Sequence, residues 1–158
     1  MNDTDPIRAC WQAYLDALPA GAQRPQTYQA WYFCDNEKSA NALGALVVAG
    51  IKTGTASLVW EYEAENERLP QAGDLSIITD WAGRPLCIIE TTAIEVMPFY
   101  AVGADHAYAE GEGDRSLAYW RAAHWDYFSR TCAAIGRAPA ETMPVLCERF
   151  RVVFGAAR

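Results

Sequence analysis

Apolar and polar positions alternate along this chain with two different periods. From Ile7 to Leu18 the bulky residues are Ile7, Cys10, Trp11, Tyr14, Leu15 and Leu18. This i, i+3, i+4, i+7 stripe predicts an amphipathic helix, with Asp5 as N-cap, Pro6 in its first position and Pro19-Ala20-Gly21 ending it. A polar connector then leads to a short aromatic strand, Ala30–Cys34. A second helix is predicted over Glu37–Ala49, with Asp35-Asn36 as the capping pair, Leu43, Leu46 and Val47 inward, and Gly50 closing it. After Gly50 the pattern favours strands: Ser57–Tyr62, Leu75–Thr79, Pro85–Met97 and Val145–Phe154. Trp81-Ala82-Gly83 reads as a hairpin turn. The alternating acids Glu61, Glu63, Glu65 and Glu67 read as a solvated, mobile loop. Ala101–Gly113 is a loop or short helix. A long helix is predicted over Ser116–Ile135, capped by Asp114 or Ser116, its core face carrying Leu117, Trp120, His124, Tyr127, Phe128 and Cys132. The expected fold class is α+β: a small mixed or antiparallel β-barrel flanked by helices.

Composition narrows the class. A chain of 158 residues with 51% hydrophobic and 21% charged residues is globular and not disordered. No run approaches the ~18–20 apolar residues of a membrane span. Met1–Pro6 lacks the basic flank and apolar core of a secretory signal, so a soluble cytoplasmic protein without a membrane partner is expected. Cys10, Cys34, Cys87, Cys132 and Cys147 form no C-x-x-C pair and are expected to be reduced thiols.

Thirteen basic against 20 acidic residues give a net charge of −7. Tight, sequence-independent binding of long nucleic acid is disfavoured, because phosphate neutralisation supplies most of that affinity. A pocket for a nucleoside or a short single strand remains compatible. Serine-hydrolase, P-loop, dinucleotide and zinc-protease motifs are all lacking. His106 and Glu110 have i, i+4 spacing, too few ligands to argue a zinc site, so neither metal nor cofactor is expected. His124, between Trp120 and Phe128, is either a half-buried structural histidine or a site residue.

Only two lysines occur, Lys38 and Lys52. Lys52 lies in Gly50-Ile51-Lys52-Thr53-Gly54-Thr55, a polar cluster between helix and strand. This turn is either a plain connector or a cleft edge into which Lys52 and Thr55 project. In the second reading a desolvated lysine serves as base and the threonine hydroxyl as nucleophile.

The turn resembles the G-x-K-x-x-T-x-R motif of the ASCH domain family, a small barrel similar to the PUA RNA-binding domain. Gly50, Lys52 and Thr55 match, and Ser57 stands where the motif has arginine. Similar to the larger bacterial members are also Leu69-Pro70 with Gly73-Asp74, His106-Ala107 through Asp114, Tyr119-Trp120-Arg121 through His124, and Met143-Pro144-Val145 with Cys147-Glu148-Arg149-Phe150. The resemblance runs over Trp31–Phe154. It implies a helical extension over residues 1–30 and an ASCH domain over 31–158.

The resemblance implies a hydrolase acting on a nucleoside or a nucleic-acid-related substrate. Foremost is metal-independent removal of the acyl group from N4-acylated cytidine by a Thr-Lys-Glu triad. Thr55 would be the nucleophile, Lys52 its base, and Glu110 the third member, kept partly protonated by burial to serve the leaving amine or to hold the cytosine edge. Gly54, Ser57, Trp60, His124 and Ser129 are the expected substrate contacts. Without the resemblance, Glu110 reads as a solvated acid like Glu112 and Asp114. The alternatives are a ribonuclease on single-stranded RNA, with bases stacked on Tyr32, Trp60, Trp81 or Trp125, and a non-catalytic RNA-binding module.

Overall fold

The computed structural model describes residues 5–155. Residues 1–4 and 156–158, the outer ends of the expected extension and domain, lie outside the described residues.

The helices begin where capping chemistry permits. Helix α1, Pro6–Ala17, starts with the Asp5 carboxylate accepting from the Ile7 amide at 3.0 Å. Strand β1 is Gln29–Trp31. Helix α2, Glu37–Val48, is capped by Asn36, which accepts from the Ser39 amide at 2.9 Å. Strand β2 is Gly54–Leu58. It is followed at once by helix α3, Val59–Glu65. Strands β3, Leu75–Thr79, and β4, Pro85–Pro98, form a hairpin, and a 3-10 turn covers Phe99–Ala101. Helix α4 is Ala104–Glu110, α5 is Leu117–Ala134 capped by Ser116, and β5 is Pro144–Phe154.

Two expectations are corrected. Val59–Tyr62 is helix, so the strand predicted over Ser57–Tyr62 ends at Leu58. The acidic stretch is not a wet loop up to Glu65. Glutamate is a good helix former, and Glu61 in the first turn favours the positive end of the helix dipole.

The strands are hydrogen-bonded in the order β1-β3-β4-β5-β2. β1 runs parallel to β3, whereas β3–β4 and β2–β5 are antiparallel. The class is therefore α+β with a mixed sheet, as the pattern predicts. Among the described residues no helix is long and apolar enough to cross a membrane.

The chain forms two compact units. Among the described residues the first comprises 5–50, 74–90 and 151–155. There α1 lays Trp11 on Tyr28, with ring centroids 4.5 Å apart, and Tyr14 against Phe154 at 5.9 Å. The hairpin pairs Ile77 with Ile88 and Ile78 with Cys87, all buried. The second unit comprises residues 51–73 and 91–150. Its core gathers Leu58, Phe99, Val102, Ala107, Trp120, Phe128, Cys132, Met143, Val145 and Cys147. Burying such side chains contributes about 1.5–3 kcal/mol each, so this core fixes α4 and α5 against β2 and β5.

Candidate active site

The lysine turn is strapped in place by its own backbone. The Thr53 amide donates to the Ala109 carbonyl at 2.7 Å, and the Phe150 amide donates to the Thr53 carbonyl at 3.0 Å. This ties the residue after Lys52 to α4 on one side and to β5 on the other. Gly54 makes the approach possible, since a Cβ there would stand 3.1 Å from the Glu148 carbonyl oxygen and 3.5 Å from Ala109 Cβ.

Lys52 is turned inward and only 1% exposed. Its Nζ lies 3.3 Å from Glu110 Oε1, 3.4 Å from the Glu110 carbonyl oxygen and 3.4 Å from Glu112 Oε1. Glu110 is equally buried and is the hub of the cluster. Its Oε2 accepts from the Trp120 indole N–H. His124 Nε2 lies 3.3 Å from Oε1, and His106 Nε2 lies 3.0 Å from Oε2. The His106 contact is one of proximity, since that nitrogen lacks an aligned hydrogen bond.

The protonation pattern follows from the partners. Burial pushes the Glu110 carboxyl upward, but the charges of Lys52 and His124 and the two imidazole contacts outweigh it and hold the carboxyl well below its ordinary value. Glu110 is thus a fixed carboxylate, which corrects the expectation of a partly protonated acid. It is equally far from a solvated loop residue. For His124, burial opposes the charge, yet Glu110 raises its pKa above the ordinary value. Hydrogen-bond chemistry agrees. His124 Nδ1 lies 2.8 Å from the Trp120 carbonyl and Nε2 faces a carboxylate. Both partners only accept, so both nitrogens carry protons and the ring is an imidazolium. It stacks on the Trp120 indole, with centroids 4.2 Å apart and planes inclined by 14°.

The other expected residues divide. Thr55 is half-buried on β2 and pairs with Glu148 of β5, while its neighbour Ala56 pairs with Cys147. Directly opposed residues of antiparallel strands share a face. Thr55 therefore looks toward the Glu148 side. Cys147 lies on the α4 and α5 side, its thiol pushed up to about 12 by burial and then by the Glu110 charge. Ser57 Oγ sits 3.1 Å from the Tyr62 hydroxyl. Trp60 packs against the core and carries the Arg137 guanidinium 4.5 Å above its ring. Ser129 donates to the Trp125 carbonyl of its own helix at 2.6 Å, an intrahelical use of the hydroxyl. Of the four aromatics, Trp125 lies 5.4 Å from Phe99, whereas Tyr32 and Trp81 are exposed and 4.8 Å apart in the first unit.

Three participants escaped the sequence reading. Glu112, expected to be solvated, shares Lys52 with Glu110. Trp120 was legible only as a core residue. His106 was legible by its spacing from Glu110, but not as a buried neighbour of that carboxylate. Glu110, Glu112 and His124 also offer donor atoms within 4.8 Å of one another, a set able to hold a metal ion. The Lys52 ammonium lies against two of those three residues, which disfavours a cation there by like-charge repulsion.

Comparison with known proteins shows the family and the fold. The ASCH domain family model matches residues 29–154. The crystal structure of an ASCH domain from Lactobacillus crispatus JV V101 is 36% identical, with a TM-score of 0.88 and 93% of each chain covered. Protein EF3133 from Enterococcus faecalis V583 is 35% identical, with a TM-score of 0.85, over 94% of this chain and 88% of that one. Hypothetical protein PH0355 shares the fold alone, at 15% identity and a TM-score of 0.51 over 79% of this chain and 100% of that one. Comparison with curated proteins gave no match. With its lysine turn, its acidic α4 and the α5 histidine all inside the matched span, the chain belongs to the ASCH domain family.

Proposed function

We propose that this protein is an amidohydrolase that removes the acyl group from N4 of an acylated cytidine. The observation that carries the reading is the convergence of Lys52, His106, His124 and Trp120 on the Glu110 carboxylate, directly before a strand that bears Thr55. A buried cluster of paired charges is a costly arrangement for structure alone and a useful one for moving protons.

Thr55 Oγ attacks the acyl carbon, forming an ester as the bond from carbon to N4 breaks. The Lys52 ammonium hands one proton to the Glu112 carboxylate, its more exposed partner at 15%, and the freed amine takes the Thr55 proton through one bridging water, because Thr55 faces the Glu148 side of its strand. The imidazolium of His124 supplies the proton that the leaving amine needs, the task first expected of Glu110. Glu110 touches neither substrate nor water in this scheme; it positions Lys52 and His124. Water then cleaves the threonine ester, with the neutral imidazole as base.

The test is turnover of N4-acetylcytidine followed by loss of its near-ultraviolet absorbance. Wild type hydrolyses it, Thr55→Ser retains measurable activity, and Thr55→Ala and Lys52→Ala are inactive. Turnover by Thr55→Ala removes the nucleophile from this scheme. Absence of turnover in the wild type, with cleavage of single-stranded RNA instead, replaces it with the ribonuclease reading.

A further inference from the structure

The second unit holds another buried carboxylate besides Glu110. Glu148 is 6% exposed and stands on β5 directly opposite Thr55. Cross-strand partners place their Cβ atoms about 4.5–5.5 Å apart on the same face. On that face Thr91, itself 2% exposed, donates its hydroxyl to Glu148 Oε1 at 2.5 Å. Two residues along from Thr55, Ser57 shares the face and meets the Tyr62 hydroxyl at 3.1 Å. Tyr62 senses the same carboxylate. Its pKa is raised first by burial, with a further push from the Glu148 charge. One face of β2 and β5 thus gathers the Glu148 carboxylate with the half-buried hydroxyls of Thr55, Ser57 and, through Ser57, Tyr62.

A carboxylate is an acceptor only, whereas hydroxyls both donate and accept. Such a surface matches a ring edge that pairs an N–H donor with adjacent acceptors. A cytosine edge has that pattern: N–H at position 4, with N3 and O2 beside it. Uracil presents a carbonyl oxygen at position 4, which faces a carboxylate unfavourably. We infer that Glu148 is the specificity-determining residue of the site, accepting the N–H at position 4 of a cytosine-type base while Thr91 holds its carboxylate in place. The inference rests on the amidohydrolase reading for the class of base. An N4–H held by Glu148 sets the acyl carbon, one bond away, on the Thr55 face, so the His124 proton reaches N4 through water, as the Thr55 proton reaches Lys52.

Binding of the deacylated nucleosides tests this without requiring turnover. Cytidine and uridine are titrated by calorimetry into wild type, Glu148→Gln and Thr91→Val. The wild type is expected to prefer cytidine by about 10–100-fold, the range of a hydrogen bond to a charged group. In Glu148→Gln the preference collapses or reverses, because an amide can donate to the uracil carbonyl. In Thr91→Val it weakens without reversing. Circular dichroism establishes that each variant is folded. If Glu148→Gln does not fold, Thr91→Val decides: an undiminished preference overturns the inference. Equal binding of both nucleosides to wild type, no binding of either, or an unchanged preference in Glu148→Gln also overturns it. A cytidine preference that depends on Glu148, in a protein that fails to hydrolyse N4-acetylcytidine, supports this inference and rejects the amidohydrolase chemistry.

Discussion

Replacing Glu110 by glutamine removes one charge and almost no volume, and it strikes the group on which Lys52, His106, His124 and Trp120 converge. Glu110 and Lys52 are each 1% exposed. In the variant Lys52 loses its fully buried carboxylate partner while the more exposed Glu112 stays, and the His124 imidazolium faces a neutral amide. Removing one member of a buried pair costs about 3–5 kcal/mol, because the remaining charge stays desolvated. For a chain of this size ~1 kcal/mol moves Tm by roughly 2–4 °C, so the expected loss is about 6–20 °C.

The pH dependence sharpens this prediction. Glu110 has a folded-state pKa below its unfolded value, so its contribution is present above about pH 4.3 and fades as pH falls through the lower folded value. His124 has a folded-state pKa above its unfolded value, so its contribution is full below about pH 6.5 and fades as pH rises through the higher folded value. This cluster therefore stabilises wild type most between roughly pH 4.3 and 6.5. In Glu110→Gln both slopes flatten. Thermal unfolding followed by far-ultraviolet circular dichroism from pH 3 to 9 measures both quantities. A variant whose Tm stays within ~2 °C of wild type, with an unchanged pH profile, would refute the hub role of Glu110.

Three further outcomes are expected. Gly111→Ala forces a side chain onto a residue with φ of +72°, and its Cβ would stand 2.6 Å from the Ile51 carbonyl; a loss of about 2–4 kcal/mol in urea unfolding, with reduced turnover, is expected, and a neutral variant contradicts the close packing of α4 on the lysine turn. Prolonged treatment with EDTA should leave turnover and Tm unchanged, whereas loss restored by one divalent ion would show that Glu110, Glu112 and His124 hold a metal despite Lys52. The thiols of Cys87 and Cys147, both pushed up to about 12 chiefly by burial, should resist iodoacetamide at pH 8 in the native protein and react in urea; rapid native alkylation would show that these strands open readily.

Local physics made much of this molecule legible in advance. The Asp5, Asn36 and Ser116 caps are short-range devices, and their helices begin where the residues say. Period-two runs gave β3 and β4 almost to the residue. The segment from Val59 to Glu65 misled because short apolar-acidic runs fit either period, and its choice of helix was made by packing Trp60 against the core of the second unit. The lysine turn was visible as composition and as a family motif, but its electrostatics were not.

Lys52 and Glu110 are 58 positions apart, and no spacing rule announces a contact of that range. Only folding places Glu110 beneath Trp120 and between two imidazoles. That burial is what makes its charge state depend on partners rather than on its own chemistry. The same holds for Glu148, an ordinary alternating residue of β5 until the β2–β5 register sets it opposite Thr55. Residue types and their local periods determine which elements form. Which carboxylate stays charged, and which hydroxyl it faces, is decided by long-range register and desolvation, which exist only in the assembled structure.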